Sequence, residues 1–410
     1  MSLHPRFWIA IAIAGIASGS ASADDWPQWR GPARTGSSSE TGWLDRWPAE
    51  GPKILWKADV GTGFSSFAVA KGRVYTIGNA NDTDTVFCLD AEKGQVLWYH
   101  PYPSELGDKF FEGGPTSTPT VDDDRVYSIS RGGDLFCFNA TSGKVVWSIN
   151  VHRESGAPIP GWGFGGSPLI LGDLLILNIG EAGLALEKST GRVVWKSAPS
   201  ECGYSTPQPV PGDSGLLMFS SGRAYVAADA KTGKEAWRVK WVSNYGVNAA
   251  DPIFSDGKML LSSGYGKGAA LFRLGNAEPE LVWQNRILRT QMNPAVLVGD
   301  SLYGVDGDGA TGPTAKQKTD LKCVDFATGA ERWAFPLGNV GAVTEASGKL
   351  IVLSGEGELL VGPASPEGFK PTARAKVLSG KCWTVPVLAN GRILCRNAEG
   401  QVVCVDVKKP

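Results

Sequence analysis

Histidine is nearly absent from this chain: there are three in 410 residues, and beyond the first few positions only His100 and His152. That leaves little material for histidine-based metal binding or acid–base catalysis. No stretch of about 18 apolar residues occurs, so no segment reads as a membrane-spanning helix. Charge of either sign is not in excess. Forty basic residues face forty-one acidic ones, for a formal charge of −1, and the electrostatic footprint that nucleic acid requires is missing. What the chain does have in quantity is turn-forming and aromatic residues, with 53 Gly, 26 Pro and 15 Trp. This composition suits short strands, tight turns and a recurring aromatic anchor.

The opening residues 1–23 read as a signal peptide: Arg6 precedes an apolar run from Phe7 to Ala17, and Ala21-Ser22-Ala23 offers a cleavage site before Asp24. No cysteine follows that run, so lipid attachment is not expected. The expected location is periplasmic or secreted, as a soluble monomer. Of the seven cysteines, Cys88, Cys137, Cys323 and Cys404 share one position, in VFCLD, LFCFN, LKCVD and VVCVD, where a small side chain would pack in the interior. Cys395 would face Cys404 across a two-residue Glu399-Gly400 turn. Either a cross-strand disulfide or two packed thiols satisfies that arrangement.

A unit repeats along the chain. LDAEKGQVLW, FNATSGKVVW, LEKSTGRVVW, ADAKTGKEAW and VDFATGAERW each place a turn residue, a glycine four positions later and a tryptophan four beyond that. They end at Trp98, Trp147, Trp195, Trp237 and Trp333; Trp283 closes a degenerate copy, and Trp56 begins the series. Successive tryptophans lie 42, 49, 48, 42, 46 and 50 residues apart, the period of a four-stranded propeller blade. Each unit predicts a strand, an Asx-type turn with glycine at positive φ, and a strand carrying Trp. Upstream, two more strands follow Pro119, Pro168, Pro252 and Pro386, with Phe67 and Val343 in place of the proline in two other copies. From Trp383 to Val407 three strands lack their Trp-bearing fourth, while Pro52 to Val60 is a fourth strand without its blade. Joining them closes a ring and removes both sheet edges. The expected fold is therefore all-β: an eight-bladed propeller of four-stranded antiparallel blades over 52–410, with the seventh blade, Gly341 to Val377, lacking the signature. Residues 24–51 form a leader that caps or clasps it.

The D-x-x-x-G-x-x-x-W unit resembles the tryptophan-docking motif of the pyrroloquinoline-quinone (PQQ) repeat family, and WPQWRGPARTG at Trp26 to Gly36 is similar to the leader of exported bacterial proteins of that class. The resemblance implies that Trp56, Trp98, Trp147, Trp195, Trp237, Trp283 and Trp333 are structural. It implies two alternative functions. One is a noncatalytic binding scaffold, similar to the propeller of the outer-membrane-protein assembly lipoprotein, for an unknown protein or small polar ligand. The other is a periplasmic quinoprotein oxidoreductase of alcohols or sugars, holding PQQ with Ca²⁺ in its funnel beside an Asp base. The chain has neither the adjacent cysteine pair usual in such enzymes nor a C-x-x-C-H for haem, and no calcium-and-base set can be placed on it. The scaffold is the expected function, with no cofactor and no catalytic or metal residue assigned.

Binding in propellers usually occurs at one mouth of the channel. Trp162, Tyr204, Asn248, Asn293, Glu345 and Trp383 stand before or at the start of innermost strands, so they are the candidate lining. Asp306 and Asp308 in GVDGDGATG lack the later bidentate Glu of a calcium loop and read as a glycine turn; Asp122 to Asp124 read as a solvated turn.

Overall fold

The computed structural model describes residues 24–109, 111–212, 214–275, 278–308 and 319–409; the signal-peptide reading of 1–23 lies outside them. Among the described residues, alternating strands form eight sheets. Blade 1 is Ala68–Ala70, Arg73–Asn79, Thr83–Asp90 and Val96–Pro103. Blades 2 to 6 follow from Thr120, Leu169, Gln208, Ile253 and Val296, and blade 7 from Gly341. In blade 8, Val387–Ala389, Arg392–Arg396 and Gln401–Asp406 are completed by Ile54–Asp59, which pairs antiparallel with Gln401–Asp406. The ring is thus closed by a strand from the far end of the chain, and no blade is left with an open inner interface.

Inner strands begin one residue after Pro119, Pro168, Pro252 and Pro386, where the missing N–H costs no ladder bond. Blade 7 differs. Its inner strand Gly341–Ala346 begins two residues before Val343, because no proline fixes the start.

The core is divided among the blade interfaces. Eight apolar clusters occur, each shared by two neighbouring blades. Between blades 1 and 2, for example, Tyr75, Ile77, Val86 and Cys88 pack on Val126 and Phe138. Fully burying one such side chain is worth about 1.5–3 kcal/mol.

The repeated unit has a mechanical role at most of these interfaces. Asp90 Oδ1 accepts from the amides of Glu92 and Lys93, and Gly94 N closes the turn on Asp90 O at 2.8 Å. The Gly94 turn then lies flat under the indole of the preceding blade's Trp56, whose Nε1 donates to Ala91 O at 3.1 Å. The same arrangement joins Trp98 to Ala140 O over Gly143, Trp147 to Lys188 O over Gly191, Trp195 to Ala230 O over Gly233, and Trp283 to Phe326 O over Gly329. Trp333 donates to Ser365 O in the signature-less blade 7 and stacks on Phe369 instead of a glycine turn. Opposite these tryptophans across the strand pair stand Cys88, Cys137, Cys323 and Cys404, all buried free thiols. A glycine is required under the indole for two reasons. At Gly143 φ is +69°, and a Cβ would fall 2.6 Å from the Trp98 ring. Gly143→Ala is expected to cost about 3 kcal/mol, from left-handed strain of about 1–2 kcal/mol plus displacement of the indole, measurable by urea denaturation.

Cys395 and Cys404 do not face one another. Cys395 pairs with Val403 and Leu394 with Cys404, because the connection closes at Asn397 and Gln401 with three residues between them, one more than the two-residue turn expected. A one-residue change of register sends the two thiols to opposite faces of the sheet. Cys395 packs toward blade 7 and Cys404 toward blade 1.

The leader enters the ring. Trp26 exchanges backbone bonds with Val69 of blade 1, Val121 N donates to Pro27 O from blade 2, and Arg34 Nη2 reaches Ile170 O in blade 3. Ser37–Ser38 adds a short parallel strand to Gly341–Ala346 of blade 7, and Glu40 accepts from Gly391 N in blade 8. Arg30 is buried and makes four hydrogen bonds, all to carbonyls, those of Arg34 and Thr35 in the leader and of Pro294 and Ala295 in blade 6. Burial pushes its pKa down to about 10. The leader therefore fills the axial channel at the end where the inner strands turn back.

Candidate binding site at the open end of the channel

At the other end the inner strands begin, and their starts form a girdle. Ser66 N donates to Thr118 Oγ1, Thr118 N to Ser167 Oγ, Ser167 N to Thr206 Oγ1, and Thr206 N to Asp251 Oδ1, at 2.8 to 3.1 Å. Blades 2 to 5 thus each cap an amide of the preceding blade that no ladder reaches. The pattern is legible in the sequence: Thr118, Ser167, Thr206 and Asp251 each stand directly before a proline. This [S/T/D]-P repetition was the missed signal, and it identifies Asp251 as the blade 5 counterpart of a row of hydroxyls.

Within the girdle lies a cavity of about 120 Å³. Its walls include Phe64, Phe111, Trp162, Tyr204, Tyr265 and Trp383, and Trp29 of the leader also lines it. The rings hold one another in place: Phe64 and Trp383 are perpendicular at 6.1 Å, and Trp162 meets Tyr204 at 5.9 Å and 77°. Gln291 Nε2 donates to Tyr265 Oη at 2.7 Å, and its Oε1 is buried with no partner among the described residues.

Of the residues expected at this mouth, Trp162, Tyr204, Asn293 and Trp383 line the cavity. Asn293 also clasps the wall, donating to Trp383 O at 2.8 Å. Asn248 does not line it. Its amide is consumed behind the wall, with Nδ2 donating to Ser221 O and Trp241 O and Oδ1 accepting from Ser243 Oγ. Glu345 is at the plugged end, because it stands two residues past Val343, where Val121 stands two past Pro119, next to the turn into the second strand. There its amide donates to Gly36 O and its carboxylate accepts from Gly348 N. Phe64, Phe111, Tyr265, Gln291 and Trp29 were not legible as lining, because their proximity depends on the closure of the ring.

Asp251 is the one formally charged residue of the described lining. It is 4% exposed, and its partners are neutral: Thr206 N at 2.8 Å, Trp29 Nε1 at 2.7 Å and Gln208 Nε2 at 3.3 Å. Burial pushes its pKa up to about 6, against the attraction of Arg30 and these donors. Asp306 and Asp308 lie elsewhere and are both taken by Arg289 at 2.8 Å. In the Asp122 to Asp124 turn each carboxylate meets a different cation, Lys188, Lys71 and Arg125 respectively.

Whether this mouth suits PQQ can be judged from size and charge. A dry cavity of about 150 Å³ takes a molecule the size of benzene, whereas PQQ is a fused tricycle with three carboxylates. No Lys, Arg or His stands among the lining residues to meet those carboxylates, and no group of three or more His, Cys, Asp or Glu among the described residues is arranged to hold a metal ion. The described residues do not fit the PQQ–calcium pair.

Known proteins share this architecture. The chain overlays on BamB of Moraxella catarrhalis with a TM-score of 0.63 at 16% identity, covering 87% of this chain and 99% of that one. It overlays on the quinohemoprotein alcohol dehydrogenase of Comamonas testosteroni with a TM-score of 0.67 at 12% identity, covering 96% and 82%. At such identities the likeness is one of fold. By sequence, the tetrathionate hydrolase of Acidithiobacillus ferrooxidans is 24% identical over 191 residues, 43% of this chain and 34% of that protein, so the chain matches about a third of that relative's length. The family model described as outer membrane protein assembly factor BamB matches residues 109–335, more than half of the chain, and the chain belongs to that family of PQQ-like repeat propellers.

Proposed function

We propose that this chain is an exported, noncatalytic binding module whose working surface is the open end of the channel. The observation that carries this reading is the asymmetry of the channel: the leader seals one end, and the other presents an aromatic cavity with one buried carboxylate. Catalysis would need a reacting pair within reach, such as a nucleophile with its base or a base with a metal. Asp251 instead spends both oxygens on positioning the Trp29 indole and two blade 4 donors. Trp162 at the cavity and Tyr245, 72% exposed, add aromatic surface of the kind that contributes most to recognition. The competing reading, a PQQ-dependent oxidoreductase, draws support from the fold of the dehydrogenase neighbour. Calorimetric titration with PQQ, with and without Ca²⁺, followed by dye-linked alcohol and sugar oxidation, separates the two. The expected result is no heat at high micromolar PQQ and no turnover; calcium-dependent binding with turnover overturns the binding-module reading.

A further inference from the structure

We propose that the cavity at the open end of the channel takes a small quaternary ammonium solute, with a headgroup the size of trimethylammonium. The inference rests on the binding-module reading and names the ligand class of that site. Size is the first argument: about 120 Å³ accommodates a benzene-sized group and little more. Composition is the second. Phe64, Phe111, Trp162, Tyr204, Tyr265 and Trp383 surround the space, and aromatic rings attract a cation within about 6 Å of their centroids, most strongly one whose own hydration is weak. The Trp383 indole already draws an ammonium in this way, for Lys381 Nζ sits 5.1 Å from its centroid while paired to Glu112 at 3.1 Å.

Charge is the third argument. The groups facing Asp251 are Trp29 and Arg30 from the leader and Thr206, Gln208 and Tyr225 from blade 4. Arg30 is the single cation among them, and its four hydrogen bonds all go to main-chain carbonyls. A buried carboxylate without a contact ion pair is costly, and a cation in the adjoining cavity supplies the missing countercharge without needing hydrogen-bond donors. Quaternary ammonium has none to offer, and the Asp251 oxygens are already occupied. The unpartnered Gln291 Oε1 adds a further negative pole.

The test compares choline with its uncharged isostere 3,3-dimethylbutan-1-ol by calorimetry on the purified chain. Choline is expected to bind at least tenfold more tightly at pH 7.5. Its affinity should fall about tenfold at pH 5, as Asp251, with its pKa pushed up to about 6, takes up a proton, while the isostere is indifferent to pH. Trp162→Ala, in the wall near the mouth, should weaken choline several-fold and leave the fold intact; Asp251→Asn should abolish the pH dependence. Equal binding of choline and the isostere overturns the cation preference and leaves the binding-module reading standing. Tight PQQ binding overturns both, and silence from choline and isostere alike overturns this inference alone.

Discussion

Replacing Arg396 by methionine is expected to destabilise the propeller by about 3 kcal/mol. Arg396 is fully buried where the ring closes. Its Nη1 donates to Ser65 O at 2.8 Å, Ile77 O at 2.9 Å and Thr76 Oγ1 at 3.0 Å, and its Nη2 to Gly61 O at 3.0 Å. One guanidinium of blade 8 thereby holds the end of the closing strand, the approach to the first inner strand and the second strand of blade 1. Burial pushes its pKa down to about 9, against the attraction of Asp59. Removing a buried charge can be neutral when its partners vanish with it. Here the partners are mostly main-chain carbonyls, which no side-chain substitution removes, and each buried acceptor left unpaired costs about 1–3 kcal/mol. Urea denaturation of the wild type, Arg396→Met and Arg396→Lys checks this. Lysine should fall between the other two, since one ammonium cannot span acceptors that the planar fork reaches from two nitrogens; an unchanged midpoint in Arg396→Met would show that the carbonyls find other partners.

Arg30→Ala is expected to release the leader while leaving the blades folded. The side chain is a buried tie between leader and ring, bonded to Pro294 O and Ala295 O on one side and to Arg34 O and Thr35 O on the other. Losing these bonds, at about 1.5–3 kcal/mol for each bond to a charged group, should raise the opening equilibrium of the leader by two or more orders of magnitude. Hydrogen exchange resolves the effect locally. The amides of Trp26 and Val69, bonded to each other's carbonyls at 2.8 and 2.7 Å, should lose protection, whereas Leu186 or Val226 in the blade cores should not. Choline binding should fall with them, because Trp29, which lines the cavity, departs with the leader and Asp251 loses its indole partner. If the leader amides keep their protection, the hold lies instead in Trp26, which is buried in the apolar cluster between blades 8 and 1.

Much of this architecture follows from short-range chemistry and so was readable in one dimension. A turn that needs glycine at positive φ, followed four residues later by tryptophan, recurs because five of the eight blade interfaces make the same Trp-over-Gly contact. The closing strand Ile54–Asp59 was legible for a related reason: a strand with the blade signature and no blade of its own needs a partner, and the tail lacked one. Register was less accessible. The thiols of Cys395 and Cys404 sit on opposite faces because one extra residue enters the connection, and turn length is a choice among backbone conformations of similar energy. Glu345 was misplaced for another reason: the inner strands are only a few residues long past the proline position, so two residues beyond it the chain has already reached the far turn.

Sequence alone determined what the blades are made of: their period, the recurring Trp–Gly contact, the buried cysteine position that four of them share and the rule that the ring must close on itself. These depend on neighbours a few residues apart or on a pattern repeated at fixed spacing. Only the tertiary structure decided which residues share the axis. Trp29 and Asp251 lie 222 positions apart and meet at 2.7 Å, because eight inner strands converge on one channel and the leader threads into it. Convergence of that kind is a property of the closed ring and has no counterpart in local spacing, which is why the carboxylate, the indole and the end of the channel that stays open became visible only in three dimensions.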